Sequence, residues 1–461
     1  MIMPIMKVLT PRGKRMARMT FKLAAALAVV CAMTAMAEQP VYRQVQAEEV
    51  RAREGIGNVM KKIRAGQEVT VAYLGGSITA MNGWRNKTTD WLKATYPKAS
   101  FKEVHAAIGG TGSDLGVFRL GRDVLAYKPD LLFVEFATND GGQAPEQIWR
   151  SMEGIVRQTW KQDPLTDIVF TYTITTAFTN DYAQGLCNRS ASAMELLADH
   201  YGVPSINFGI RVAQLLKENK LIMDAKVIET AVPKESADRD KQIRERLAAD
   251  KRLLFANDGV HPRDEGHELY KAAIVAGLTQ MKDMPAADHK AKLARAFVAD
   301  NWESAKMVPL SEKMLTGNWK RLPADDGKQK AFGNRMGQIW SAEEPGCKLH
   351  FKFKGSTAKV YDLLGPDGGQ VVVTVDGKTG AKPVPRFDSY CTYHRIATLG
   401  VLQDTDMSRV HEVTVEIHPE QPDRQSVAFR LKDPAKELKE PKFQGTRVWM
   451  SQLMLLGDLV E

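Results

Sequence analysis

The chain has 461 residues, 44% of them hydrophobic and 26% charged, with 21 prolines and 35 glycines. That composition excludes a disordered or low-complexity protein, and the length suits two or three domains that each bury a core. The formal charge of +9 points toward nucleic acid, but six of the 64 basic residues and none of the 55 acidic ones lie within residues 1–37; the remaining +3 excludes a polyanion-binding surface.

Residues 1–37 read as a secretory leader. Lys7, Arg12, Lys14, Arg15, Arg18 and Lys22 precede an apolar run from Leu23, too short to span a bilayer comfortably, and Ala35-Met36-Ala37 offers the small residues a signal peptidase needs. Met16 and Met19 are alternative starts, and Val30 argues against lipidation of Cys31. No other window is long and apolar enough to cross a membrane. The expected product is exported, periplasmic or secreted. Export permits disulfides, yet only Cys187, Cys347 and Cys391 follow the leader; a Cys347–Cys391 bond and buried free thiols both remain open.

From about residue 46 to 282, strand-like runs alternate with helical stretches. Strands are expected at 69–75, 101–108, 130–138, 167–174 and 204–208; helices are expected at 84–94, 113–127 and 146–161. Near-continuous apolar strands between helices imply a parallel sheet covered on both faces. The charged stretch 234–252 reads as an exposed helix. A helix from Ala286 to Asp300 and the segment 302–313 are expected to form a junction. Beyond Pro309 the pattern turns to period two, in KLHFKFKG, AKVYDLLG, QVVVTVDGK, VHEVTVEIH and RVWMSQLMLLG, with an Asp376-Gly377 turn. The expected domains are a leader (1–37), an α/β domain (38–304) and an all-β sandwich (305–461).

Candidate chemistry gathers at strand ends. The first strand stops at Gly75-Gly76-Ser77-Ile78-Thr79, which would expose the Ser77 hydroxyl at the carboxyl edge of a parallel sheet; a serine capping a helix is the plainer alternative. The second strand ends in Gly109-Gly110-Thr111-Gly112-Ser113, whose backbone can aim N–H groups at an anion. The third ends in Thr138-Asn139-Asp140, where Asn139 can present an amide or simply make a turn. Two histidines have an acid three residues earlier. Asp264 and His267 open a helix, as an N-cap and a helix-surface residue. Asp258 and His261 lie in a loop with Gly259 and Pro262, where the carboxylate can fold onto Nδ1 and leave Nε2 for a serine. The second pair is preferred.

Ser77 in GGSIT, Gly110 in IGGTGS, Asn139 in FATND and His261 in DGVHP, in that order, resemble the SGNH (GDSL-like) hydrolase superfamily over roughly residues 69–275. Gly76 and Ala137 depart from the family's usual Asp and Gly. The resemblance implies a three-layer, flavodoxin-like hydrolase domain followed by a jelly-roll-like sandwich. It further implies Ser77 as nucleophile, His261 as base oriented by Asp258, and an oxyanion hole from the Ser77 and Gly110 N–H groups with the Asn139 amide. No metal or other cofactor is called for, since zincin motifs and clustered Cys/His ligands are missing from the sequence. Arg119, about two turns beyond Gly110, is a candidate substrate contact against the commoner reading of a solvated or paired arginine. The expected substrate is an acylated polysaccharide or oligosaccharide, losing acetyl or another short acyl group. A lipid or thioester acyl hydrolase and a non-catalytic glycan-binding protein are the alternatives. Trp319, Trp340, Tyr390, Tyr393 and Trp449 read as sandwich core before sugar platforms.

Overall fold

The structure, a computed structural model, describes residues 40–236 and 238–460. The leader expected over residues 1–37 lies outside the described residues.

Six strands form the first sheet: β1 (Val50–Arg51), β2 (Glu68–Gly75), β3 (Ser100–Ala107), β4 (Leu131–Glu135), β5 (Asp167–Tyr172) and β6 (Ser205–Asn207), in the order β1-β6-β5-β4-β2-β3. All pairs are parallel except β1 with β6. β4 and β5 are buried at every residue, as strands covered on both faces must be, whereas edge strand β3 alternates between buried and exposed. Period two sorts the side chains. Ala72, Leu74, Leu132 and Val134 pack with helices Ser113–Asp123, Pro145–Gln162 and Arg189–Tyr201. Val71, Tyr73, Leu131 and Phe133 face the opposite layer, with helices Gly57–Arg64, Trp84–Thr95 and Asp264–Met281. The chain leaves β2 toward β3 on one side and β4 toward β5 on the other. The topological switch point, where open parallel sheets place their ligands, therefore falls at the carboxyl ends of β2 and β4.

The later strands form an antiparallel sheet. The stretches KLHFKFKG and AKVYDLLG are one strand, Lys348–Leu364. One of its edges pairs with Val448–Val460; the other pairs first with Val410–Ile417 and then with Arg395–Gln403. The segment expected as a junction contains the strand Ala305–Pro309, which pairs with the other side of Val448–Val460. The helix expected over 286–300 is only a 3-10 turn, His289–Ala294. Tertiary contacts override it there: the His289 ring stacks on Trp160 at 4.5 Å, and the Phe297 and Val298 N–H groups are donated to buried Glu153 at 2.6 and 2.8 Å. Cys187, Cys347 and Cys391 are free and buried, which decides against a Cys347–Cys391 bond. Trp340 and Trp449 are buried, as core aromatics should be, while Tyr390 and Tyr393 are exposed. Among the described residues no helix is long and apolar enough to cross a membrane.

One hydrophobic cluster joins the two parts. Trp302, Met336, Ile339, Tyr361, Leu363, Trp449, Met454 and Leu456 pack in the same core as Phe118, Trp149 and Phe170. Lys359 extends the contact with an ion pair to Asp114 at 3.1 Å.

Candidate active site

Strand register brings the site together. Gly75 at the end of β2 lies opposite Ala107 of β3 and Glu135 of β4, so the turns after these three strands emerge at one rim. Ser77 begins a single helical turn, Ser77–Ala80. Gly76 before it has no room for a side chain, because a Cβ would stand 1.9 Å from Asn139 Oδ1. Gly110 is needed for a different reason: its φ of +72° suits glycine, and the space around its Cα is open. Asn139 opens the 3-10 turn Asn139–Gly142. The N–H groups of Ser77 and Gly110 and the Asn139 amide have no acceptor among the described residues.

His261 reaches this rim from the loop after strand Leu253–Ala256. A bridge between Ala256 and Pro262 closes the loop, and the Thr176 N–H anchors it by donating to the Gly259 carbonyl at 2.8 Å. His261 Nε2 stands 2.8 Å from Ser77 Oγ, and its Nδ1 stands 2.7 Å from Asp258 Oδ2. The other Asp258 oxygen accepts the backbone N–H groups of His261 and Val260 at 2.8 and 3.0 Å. Partial burial works to raise the Asp258 pKa, but these hydrogen bonds, led by the His261 ring, outweigh it and hold the carboxyl below its ordinary value. Ser77, His261 and Asp258 thus form a connected chain of hydrogen bonds.

The competing pair is separated. His267 is buried rather than on the helix surface; its Nδ1 accepts the Trp84 N–H at 3.2 Å and its ring lies against Gly83. Asp264 does not cap the helix and pairs with Lys87 at 2.8 Å. Burial, with the Lys87 charge second, pushes the His267 pKa down to about 4. Arg119 also needs correction. Its side chain is fully buried and donates to the carbonyls of Ala106 and Gly75, with Asp123 beside it, so it clamps strands beneath the rim and does not face substrate.

Two acids behind the rim escaped the sequence reading. Glu135 is buried and accepts the hydroxyls of Thr79 at 2.9 Å and Thr173 at 2.8 Å, together with the Gly76 N–H; burial raises its pKa. It braces the turn that carries Ser77. Asp140 is buried beside Asn139 and accepts the Ser113 N–H at 3.0 Å. Their only sequence signal was an acid at or just past the end of the third strand.

Residues 73–269 match the profile of the GDSL-like Lipase/Acylhydrolase family. The rest of the chain is accounted for at the level of fold. A two-domain esterase active on acetylated mannans, co-crystallized with mannopentaose, superposes with a TM-score of 0.63 at 18% identity, covering 87% of this chain and 94% of that one. A second structure of a two-domain esterase active on acetylated mannans gives 0.62 at 17% identity, over 87% and 95%. Both likenesses are of fold, and they run through the α/β part and the antiparallel sheet alike. No curated protein matches the sequence.

Proposed function

We propose that this protein is a serine esterase that removes acetyl or other short O-acyl groups from a carbohydrate through a covalent acyl-enzyme. The observation that carries the reading is the 2.8 Å approach of His261 Nε2 to Ser77 Oγ with Nδ1 held by Asp258. Ser77 Oγ attacks the ester carbonyl carbon while its proton passes to His261 Nε2. The carbonyl oxygen takes up the negative charge and is met by the Ser77 and Gly110 N–H groups and the Asn139 amide. As the carbon–oxygen bond to the sugar breaks, Nε2 returns the proton to the departing alkoxide. Water then repeats the sequence on the acyl-Ser77 ester, releasing the carboxylic acid and restoring the hydroxyl. Asp258 keeps Nδ1 protonated and stabilises the imidazolium formed in each half.

The fold shared with esterases active on acetylated mannans supports a carbohydrate ester as substrate, and a leader at residues 1–37 would deliver the enzyme to polymers outside the cytoplasm. The test is acetate release from acetylated mannan and a panel of other acetylated polysaccharides, with Ser77→Ala as control. Release by the wild type and none by the variant is expected. Activity surviving in Ser77→Ala removes Ser77 as nucleophile. A preference for octanoyl over acetyl p-nitrophenyl esters transfers the assignment to the lipid-hydrolase reading.

A further inference from the structure

Asp140 stands between the two turns assigned to the oxyanion hole. Its own N–H is donated to the Phe136 carbonyl and its carbonyl accepts the Gln143 N–H, both at 2.8 Å, which fixes it in the turn that carries Asn139. Its side chain crosses to the neighbouring loop, where Oδ1 accepts the Ser113 N–H at 3.0 Å. Ser113 opens the helix Ser113–Asp123 directly after Gly110-Thr111-Gly112, and its hydroxyl is bonded to Ser151 at 2.6 Å. The carboxylate lies so close to this loop that a Cβ on Gly112 would come within 2.3 Å of Oδ1. Oδ2 is buried without a partner among the described residues. A single side chain thus ties the loop of Gly110 to the turn of Asn139.

We propose that Asp140, as the carboxylate, is a positioning residue that locks the Gly110 loop to the Asn139 turn, and that protonating it loosens the oxyanion pocket. This rests on the ester-hydrolase reading above. The negative form suits the role, because a charged acceptor at a helix N-terminus binds the amide more strongly than a neutral one. It is also held close to neutralisation. Burial raises the Asp140 pKa to about 7; the Ser113 hydroxyl and N–H oppose the rise, and the charges of Asp114 and Glu135 add to it. Among the described residues the surrounding elements supply no compensating cation. Asp114 on the same helix is paired with Lys359 of the strand Lys348–Leu364, and Glu135 closes the end of β4. Helix Pro145–Gln162 offers the neutral Ser151 hydroxyl. Arg189 of helix Arg189–Tyr201 donates to the Gly141 carbonyl at 2.8 Å instead.

Asp140→Asn keeps the acceptor and removes the titration, so the variant should behave at every pH as the wild type does when protonated. In pH profiles of kcat/KM on p-nitrophenyl acetate, protonating Asp140 should add a step of about tenfold to the wild-type acid limb that the variant's limb lacks. The variant's kcat should be lowered about tenfold at pH 8, with KM nearly unchanged. Its melting temperature at pH 8 should hold or rise, since a buried charge has gone; a merely architectural role would lower it. Hydrogen exchange of residues 109–114, corrected for intrinsic rates, reads the same event without turnover: protection should drop between pH 8 and pH 6 in the wild type and stay low in the variant. A wild-type limb without that step, or protection that does not change with pH, overturns the proposal. Absence of turnover on any ester overturns the ester-hydrolase reading instead, and the exchange result distinguishes the two failures.

Discussion

Gly76 stands where the GDSL-type signature carries an acid, and the space beside it is occupied by the Asn139 side chain, 1.9 Å from where a Cβ would be. The unusual residue before Ser77 and the placement of the Asn139 amide are therefore one feature. Asn139→Ala should lower kcat by about 100- to 1000-fold with little change in KM, the usual effect of deleting one oxyanion donor. Gly76→Ala should lower kcat in the same direction by displacing that donor, with Ser77 and His261 untouched; steady-state kinetics on p-nitrophenyl acetate checks both. The side chains that meet at the rim, Ser77, His261 and Asp258, were legible in the sequence because strand ends and a short acid–histidine spacing pick them out. The surroundings were not. His267 looked like a surface residue because its helix starts in solvent, but a ring-sized space over Gly83 takes the imidazole out of water. That space belongs to a turn far away in sequence.

At the scale of elements, the β2–β3 edge is held from below by Arg119, whose helix follows the Gly110 loop. Because the guanidinium is fully buried and donates to the Ala106 and Gly75 carbonyls, Arg119→Met should remove those two hydrogen bonds, although the Gly75 carbonyl keeps the Ile108 N–H. A loss of about 1–3 kcal/mol is expected, read as a lower midpoint in urea unfolding, with His261 and Asp258 unaffected. Strands with continuous apolar runs were legible to within three residues at either end, because burial on both faces leaves no other composition. The strand Arg395–Gln403 went unread. It lies half-buried, and its partner is the second half of the long strand Lys348–Leu364, which looked like two separate strands. The false helix at 286–300 has the same origin: propensity is local, whereas Trp160 and Glu153, which claim His289 and the Phe297 and Val298 N–H groups, are distant.

In the whole molecule, the division into an α/β part and an antiparallel sheet could be read from the change of hydrophobic period, but their common core could not. Trp302, Trp449 and Phe118 meet in one cluster although nothing in their neighbourhoods announces it. Acid stability is also a property at this scale. In the unfolded chain His267 would titrate at its ordinary 6.5, whereas in the fold burial and Lys87 hold it near about 4. Between those values the unfolded state binds a proton that the native state refuses. The stability contribution is thus complete above about pH 6.5 and drains away as the pH falls toward 4, by about 3 kcal/mol in all. His267→Gln keeps an acceptor for the Trp84 N–H, so its melting temperature should fall less between pH 7 and pH 4.5 than that of the wild type. The antiparallel sheet sets a further condition. Val448–Val460 is an interior strand, flanked on one side by Lys348–Leu364 and on the other by Trp340–Ala342 and Ala305–Pro309. During synthesis those neighbours emerge long before the strand that joins them, and Met307, Val308 and their backbone wait without a partner. The antiparallel sheet therefore closes only once its last strand has been made, and until then its two flanks have nothing to join them.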